Sequence, residues 1–266
     1  MGEGRSLPPG PTDGSPRPVP GAPEFERDVR RMFSHIAERY EWFDHVASLG
    51  NDLFWRPRAL WDLERFRRGG PPVRILDVGC GTGELTRRFA RHFPAARVVG
   101  VDFTAAMLRE AGRRAGGPRP LPPAYARGTA LRLPFPDATF DLVGNAFLIR
   151  NLPDLPGAFA EFRRVLRPGG SLLVLEITEP ASPAFGRLFH AYFDHVVPWL
   201  GAAVDSAGPY RYLPESLRRL PPRPRLVAAL RAAGFPRVEA RLQSGGIVTA
   251  FLGEAGAPDR SGGESP

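Results

Sequence analysis

With 266 residues, 42 % of them apolar, the chain is long enough to bury a substantial core, and it has no apolar run of bilayer-spanning length, which excludes a helical integral membrane protein. Its formal net charge of +8 comes from arginine alone, set against 28 acids; the arginines are scattered in short pairs such as Arg67-Arg68 and Arg113-Arg114, without the aromatic-studded basic patch of a nucleic-acid platform. Such a charge marks a solvated surface first and attraction to an anionic membrane second. Cys80 is the only cysteine, so an internal disulfide is excluded.

Residues 1–23, dominated by Pro, Gly and Ser, lack the apolar content to fold and show no secretory signal pattern, so a disordered tail on a cytoplasmic protein is expected. From Phe25 to Ala47, Val29, Phe33, Ile36, Tyr40 and Phe43 recur near helical spacing, and a second helical stretch runs from Asp52 through Phe66. Together they predict an N-terminal helical cap.

An α/β core begins at Val73. Arg74-Ile75-Leu76-Asp77-Val78 reads as a buried strand that breaks into a turn with Gly79, Gly81 and Gly83 and opens a helix, the place where a nucleotide-like ligand sits in such folds. A dinucleotide site wants its third glycine at 84, but that residue is Glu84, whose carboxylate would repel a pyrophosphate. The implied ligand is free of phosphate, as S-adenosylmethionine (SAM) is. Arg97 to Asp102 forms a second apolar strand whose terminal acid, nineteen residues after Gly83, is placed to accept both ribose hydroxyls. The alternative is that the glycines only let strand and helix pack closely, and that Asp102 caps the helix starting near Thr104. Cys80, inside the turn, reads as a small packed side chain.

Further strands are expected near 123–127, 140–146 and 171–178, with helices near 84–93, 104–114 and 155–166; this alternation predicts a largely parallel sheet, interrupted by a surface loop at Gly116 to Pro120. Ala184 to Leu200 is too aromatic for a solvent-facing helix and must cover something apolar. A helix near Pro224 to Ala233 stops at Gly234, and Arg237 to Leu242 and Gly246 to Leu252 read as a hairpin through Gln243-Ser244-Gly245, which makes the last strand antiparallel. Residues 254–266 form a second disordered tail, leaving 24–253 as one domain.

The Arg167-Pro168-Gly169-Gly170 turn before an apolar strand resembles that of class I SAM-dependent methyltransferases. Three further stretches resemble the UbiE/MenG family of quinone C-methyltransferases: Phe33 to Tyr40 with Trp55-Arg56; Phe147-Leu148-Ile149-Arg150-Asn151-Leu152-Pro153-Asp154; and Tyr210-Arg211-Tyr212-Leu213-Pro214-Glu215-Ser216 with Gly245-Gly246-Ile247-Val248. The resemblance implies a three-layer Rossmann-like α/β fold with seven strands and an antiparallel last strand, an N-terminal helical cap and a helical insert after strand five.

It further implies transfer of the SAM methyl group to a ring carbon of a prenylated hydroquinone, first among them demethylmenaquinol. In the cofactor site Gly79, Gly81 and Gly83 admit the methionine end, Asp77 takes its ammonium, Thr82 adds a hydroxyl, Asp102 takes the ribose, Phe103 and Met107 flank the adenine, and Thr129 with Ala130 forms the adenine-contacting turn. In the acceptor site Arg150 stabilises a ring phenolate, Asn151 orients it or binds a ring oxygen, and Tyr40 and Tyr210 hydrogen-bond the substrate; His195 is a further candidate base, or a packed histidine. No metal and no nucleic acid are expected; peripheral contact with the inner face of an anionic membrane is, and a homodimer is compatible. Leu148 stands where the family has Gly, Thr129 where an acid or amide is common, Asp44 where Asn is frequent, and Thr249-Ala250-Phe251 replaces Ala-Leu-His. These departures keep two alternatives open: a SAM-dependent enzyme for another phenolic or lipid-like acceptor, and a non-catalytic methyltransferase-like binding subunit.

Overall fold

Strand β1 (Arg74–Val78) is buried at every position after its first, and β4 (Phe140–Ala146) and β5 (Leu166–Ile177) are almost as deeply enclosed. Runs such as Leu172-Leu173-Val174-Leu175, apolar without alternation, are what strands covered on both faces require. The computed structural model describes residues 51–116, 121–182 and 216–256 continuously, with single positions between 27 and 50 and between 186 and 192. Tyr40, Asp44, His195 and Tyr210, and most of the aromatic stretch from Ala184 to Leu200, lie outside the described residues.

Helix α1 (Asp52–Phe66) precedes β1, followed by α2 (Glu84–His92), β2 (Arg97–Asp102), α3 (Ala105–Arg114), β3 (Ala124–Arg127), β4, a single 3-10 turn at Ile149–Asn151, α4 (Leu155–Val165), β5, α5 (Arg223–Ala232), β6 (Arg237–Gln243) and β7 (Val248–Glu254). The sheet order is β3-β2-β1-β4-β5-β7-β6, parallel from β3 to β5, with β7 antiparallel to both of its neighbours. This is the seven-stranded arrangement with a reversed last strand that the hairpin predicts.

Each face of the sheet carries its own apolar layer. Trp55, Leu63 and Phe66 of α1 and Leu85 and Phe89 of α2 cover Ile75, Leu142, Leu173 and Leu252; Phe159 and Phe162 of α4 and Leu226 and Leu230 of α5 cover Leu76, Val143, Val174 and Phe251 on the other side. The Phe89 ring lies so close to the sheet that a Cβ at Gly144 would stand 2.5 Å from its Cζ. No side chain fits between them.

Two boundaries differ from expectation. Strand β5 starts at Leu166, upstream of the Pro168-Gly169-Gly170 turn, which is looped out where the register shifts between Phe140 and Leu142. The closing strands are joined not by a tight hairpin loop but by a 3-10 turn at Ser244–Gly246, so β7 begins at Val248. Ser244, Gly245 and Gly246 all have positive φ, at 47°, 68° and 93°, and Trp55 Nε1 donates to Ser244 Oγ at 2.8 Å, holding the wound conformation in place.

Candidate functional site

The chain leaves β1 toward β2 on one side of the sheet, while β4 lies on the other, so the carboxyl ends of β1 and β4 flank a switch point, where open α/β sheets bind ligands. A cavity open to solvent lies there, the kind of place where small-molecule sites form. The glycine turn after β1 forms one wall, the segment from Phe147 to Pro153 after β4 another, and Phe103, Met107 and the Gly128-Thr129-Ala130 turn a third.

The turn after β1 is left-handed at each of its three glycines, with φ of 65°, 55° and 82° at Gly79, Gly81 and Gly83. Gly79 is also required sterically, since a Cβ there would sit 2.5 Å from Leu148 Cδ1. Leu148 therefore packs directly on the glycine turn. Across the cavity, Phe147 itself has a φ of 59°, a strained conformation for an aromatic residue. Its N–H donates to Leu175 O at 2.7 Å, and its ring packs edge-on to Trp55 and 5.0 Å from the Arg56 guanidinium. At the far end of the segment Asp154 Oδ1 accepts from Gly157 N at 2.9 Å and caps α4.

Asp102 stands between the glycine turn and the start of the next helix. One carboxylate oxygen accepts from Gly81 N at 2.9 Å and the other from Thr104 N at 2.8 Å, so the group ties the glycine turn to the start of α3 while lining the cavity. Burial pushes this carboxyl above its ordinary value, opposed by those two N–H donors.

Not every residue predicted for the site lines the cavity. Gly79, Gly81, Asp102, Phe103, Met107, Thr129, Ala130 and Asn151 do; Asp77, Thr82, Gly83 and Arg150 do not. Asp77 lies fully buried beneath the turn, accepts from Thr86 Oγ1 at 2.5 Å, and is pushed up to about 7 by burial, against the pull of Thr86 and Arg56. Gly83 lies against Tyr125, whose phenol burial pushes up to about 12. Cys80 is buried and its thiol is held well above its ordinary value, as befits a packed side chain. Glu84, whose charge argues against phosphate, is engaged by Arg56 at 3.1 Å and Arg88 at 3.0 Å.

Arg150 is buried in the 3-10 turn and pairs with the fully buried Glu176 on β5, Nη1 to Oε1 at 2.5 Å. Glu176 also accepts from Arg150 N at 3.3 Å and from Ile177 N at 2.9 Å. Asn151 Nδ2 donates to Phe147 O at 3.2 Å, which locks the short segment onto itself while its side chain faces the cavity. Sequence reasoning missed Glu176, although a carboxylate ending the run Leu172-Leu173-Val174-Leu175 is the kind of anomaly that marks a buried partner. It also missed Phe147, Leu152 and Pro153 as walls of the cavity.

Residues 23–254 match the model of the ubiE/COQ5 methyltransferase family. The demethylmenaquinone methyltransferase of Deinococcus radiodurans is 41 % identical over 89 % of this chain and 96 % of its own length. A relative of the same name from Thermus thermophilus is 43 % identical, over 84 % of this chain and 99 % of its own length. Among solved structures, a SAM-dependent methyltransferase from Thermotoga maritima, a possible histamine N-methyltransferase, superposes with a TM-score of 0.57 at 20 % identity, covering 84 % of this chain and 98 % of that one. That last likeness is one of fold.

Proposed function

Since the chain belongs to the ubiE/COQ5 methyltransferase family and is a SAM-dependent methyltransferase, we propose that it methylates a ring carbon of a prenylated hydroquinone, first of all demethylmenaquinol, to give menaquinol. The observation that carries this reading is the single cavity where the glycine turn, Asp102 and the Phe147–Pro153 segment meet. SAM fits the residues there: a buried carboxylate in the cavity wall suits a ribose diol, and a left-handed glycine turn running into Glu84 suits a phosphate-free ligand that approaches the backbone. When bound, SAM supplies an electrophilic methyl group on sulfur.

The chain's own residues have two tasks. The first is cofactor placement, for which Asp102 receives the ribose, Met107, Phe103 and Ala130 enclose the adenine beside Thr129, and Asp77 fixes the turn from below through Thr86. The second is to make a ring carbon nucleophilic. A phenol with a pKa near ~10 is mostly protonated at neutral pH, so its ionisation needs help. Glu176 balances the charge of Arg150, so the pair delivers a smaller field at the ring than a lone guanidinium would. Its larger contribution is to hold the Phe147–Asn151 turn, and with it the Asn151 amide, in place against the acceptor. Tyr40 and Tyr210 complete the hydrogen bonds to the ring oxygens. Alignment in an enclosed site then supplies most of the rate.

The acceptor's lipid tail and the net charge of +8 favour peripheral contact with an anionic membrane, and among the described residues no helix is long and apolar enough to cross one. Of the departures from the family pattern, Leu148 lines the cavity, whereas Phe251 is wholly buried within β7. Thr129, which also lines the cavity, belongs to the adenine-contacting turn, so Leu148 is the departure that favours the second reading, an enzyme for another phenolic acceptor. Transfer of label from SAM to demethylmenaquinol and to a demethylated ubiquinol precursor tests the proposal. Asp102→Ala is expected to raise the SAM requirement at least about tenfold, the loss of one to two hydrogen bonds to a charged group, and Arg150→Ala to lower turnover chiefly. Tight SAM binding with no transfer to either quinol refutes the assignment of the acceptor.

A further inference from the structure

Helix α1 has two faces of opposite kind. Its inner face carries Trp55 and Arg56, both against Phe147 in the cavity wall. On its outer face Phe54 is 73 %, Leu53 50 % and Trp61 46 % exposed, a large apolar area for three residues on one helix. The spacing 53, 54, 57, 58, 61 and 65 keeps these residues and the exposed Pro57, Arg58 and Arg65 along one stripe, and the exposed Arg68 follows just past the helix end.

The charges on this stripe are arranged around the aromatic ring. The guanidinium of Arg58 lies 4.6 Å and that of Arg65 4.7 Å from the centre of the Trp61 ring, flanking it with two cations. Of the nearby acids, Asp62 is buried and paired with Arg58, and Glu64 is paired with His92 at 3.0 Å. Glu64, half exposed, is the one acid on the stripe among the described residues and is outnumbered by Arg58, Arg65 and the following Arg68, so the outer face is aromatic with a net positive charge. A bilayer interface offers apolar depth and phosphate charge together, which is what an aromatic residue ringed by guanidiniums matches.

We propose that α1 docks the enzyme on an anionic lipid surface, with Leu53, Phe54 and Trp61 entering the headgroup boundary and Arg58, Arg65 and Arg68 contacting lipid phosphates. The reason for docking here rests on the reading of the acceptor as a prenylated quinol: Trp55 and Arg56, beside Leu53 and Phe54 at the start of α1, pack on Phe147 in the cavity wall, so an acceptor whose tail stays in the bilayer has a short path to the site.

The test uses the full chain, co-sedimented with vesicles of phosphatidylcholine alone or mixed equally with phosphatidylglycerol, at physiological salt. Wild type is expected to bind the anionic vesicles and not the neutral ones. The double variant Leu53→Ser/Phe54→Ser, and separately Arg65→Glu, are expected to bind at least about tenfold more weakly, as the loss of buried apolar area and of an arginine near the lipid predicts, with SAM affinity unchanged as the check on folding. Turnover of a long-tailed quinol embedded in vesicles should fall with binding, while turnover of a short-tailed, water-soluble quinol stays at the wild-type rate. Failure of wild type to bind anionic vesicles, or equal binding by the variants, overturns the proposal. A concentration-dependent dimer that both variants abolish, with no vesicle binding, assigns the face to a second copy instead. Absence of methyl transfer to either quinol by wild type defeats the acceptor reading alone, because vesicle binding is scored without catalysis.

Discussion

Two buried carboxylates carry opposite consequences for their surroundings. Glu176 is matched by Arg150, and removing either partner leaves an uncompensated charge in the interior, which costs about 3–5 kcal/mol. Arg150→Ala and Glu176→Ala should each lower the unfolding free energy by that amount in denaturant titrations, whereas Arg150→Met/Glu176→Leu should recover most of it and still lack the positioning that supports turnover. Asp77 behaves differently, because burial raises it from 3.8 to about 7. The folded protein then holds a proton that the unfolded chain releases, so this group's contribution to stability is full below about pH 4 and is lost as pH rises through about 7. Urea unfolding of the ligand-free protein across pH 4–8 should show that decline, and Asp77→Asn should flatten it; an unchanged profile in the variant would show that Asp77 is not its source. At this scale the sequence was legible where a role is local. The glycine turn declared itself by spacing, and Asp102 proved to tie that turn to the start of α3. The partner of Arg150 did not, because Glu176 is twenty-six residues away and the two meet only through the pairing of β4 with β5.

Among the elements, the closeness of α2 to the sheet is the sharpest constraint. Gly144→Ala must displace the Phe89 ring or the strand, and overpacking of this kind costs about 1–3 kcal/mol. The double variant with Phe89→Leu should regain part of the loss, so that a thermodynamic cycle gives a coupling energy well above zero; additive costs would mean that the ring already has room to move. Strand and helix positions followed from periodicity to within a few residues, since burial imposes the period. The closing turn did not follow, because Ser244 takes a left-handed conformation that its sequence neighbours do not demand. It is held by a hydrogen bond from Trp55, 189 residues earlier, a contact no local pattern encodes.

For the molecule as a whole, the buried, unreactive state of Cys80 provides a reporter of global opening. Its thiol lies under the glycine turn and is held well above its ordinary value by burial, so a thiol reagent should label native protein only through unfolding, and bound SAM should slow the labelling in proportion to its concentration relative to its dissociation constant. Labelling of native protein at the rate of a free thiol would show that the turn opens locally. The architecture itself was legible from alternation, from the reversed final strand and from the motif order, because these are properties of the chain as a line. The face that α1 turns outward was not, since a helix shows from sequence only which residues share a side, and not which side the sheet will cover.

One consequence of the strand order concerns synthesis. The last strand in the chain, β7, lies between β5 and β6, and the residue that receives the Trp55 hydrogen bond sits just before it. Until the ribosome has passed Glu254, the nascent polypeptide therefore holds β5 with one open edge and a ligand chamber whose outer wall is unlatched. Until then the open β5 edge is where a chaperone, or an aggregating neighbour, has its opportunity.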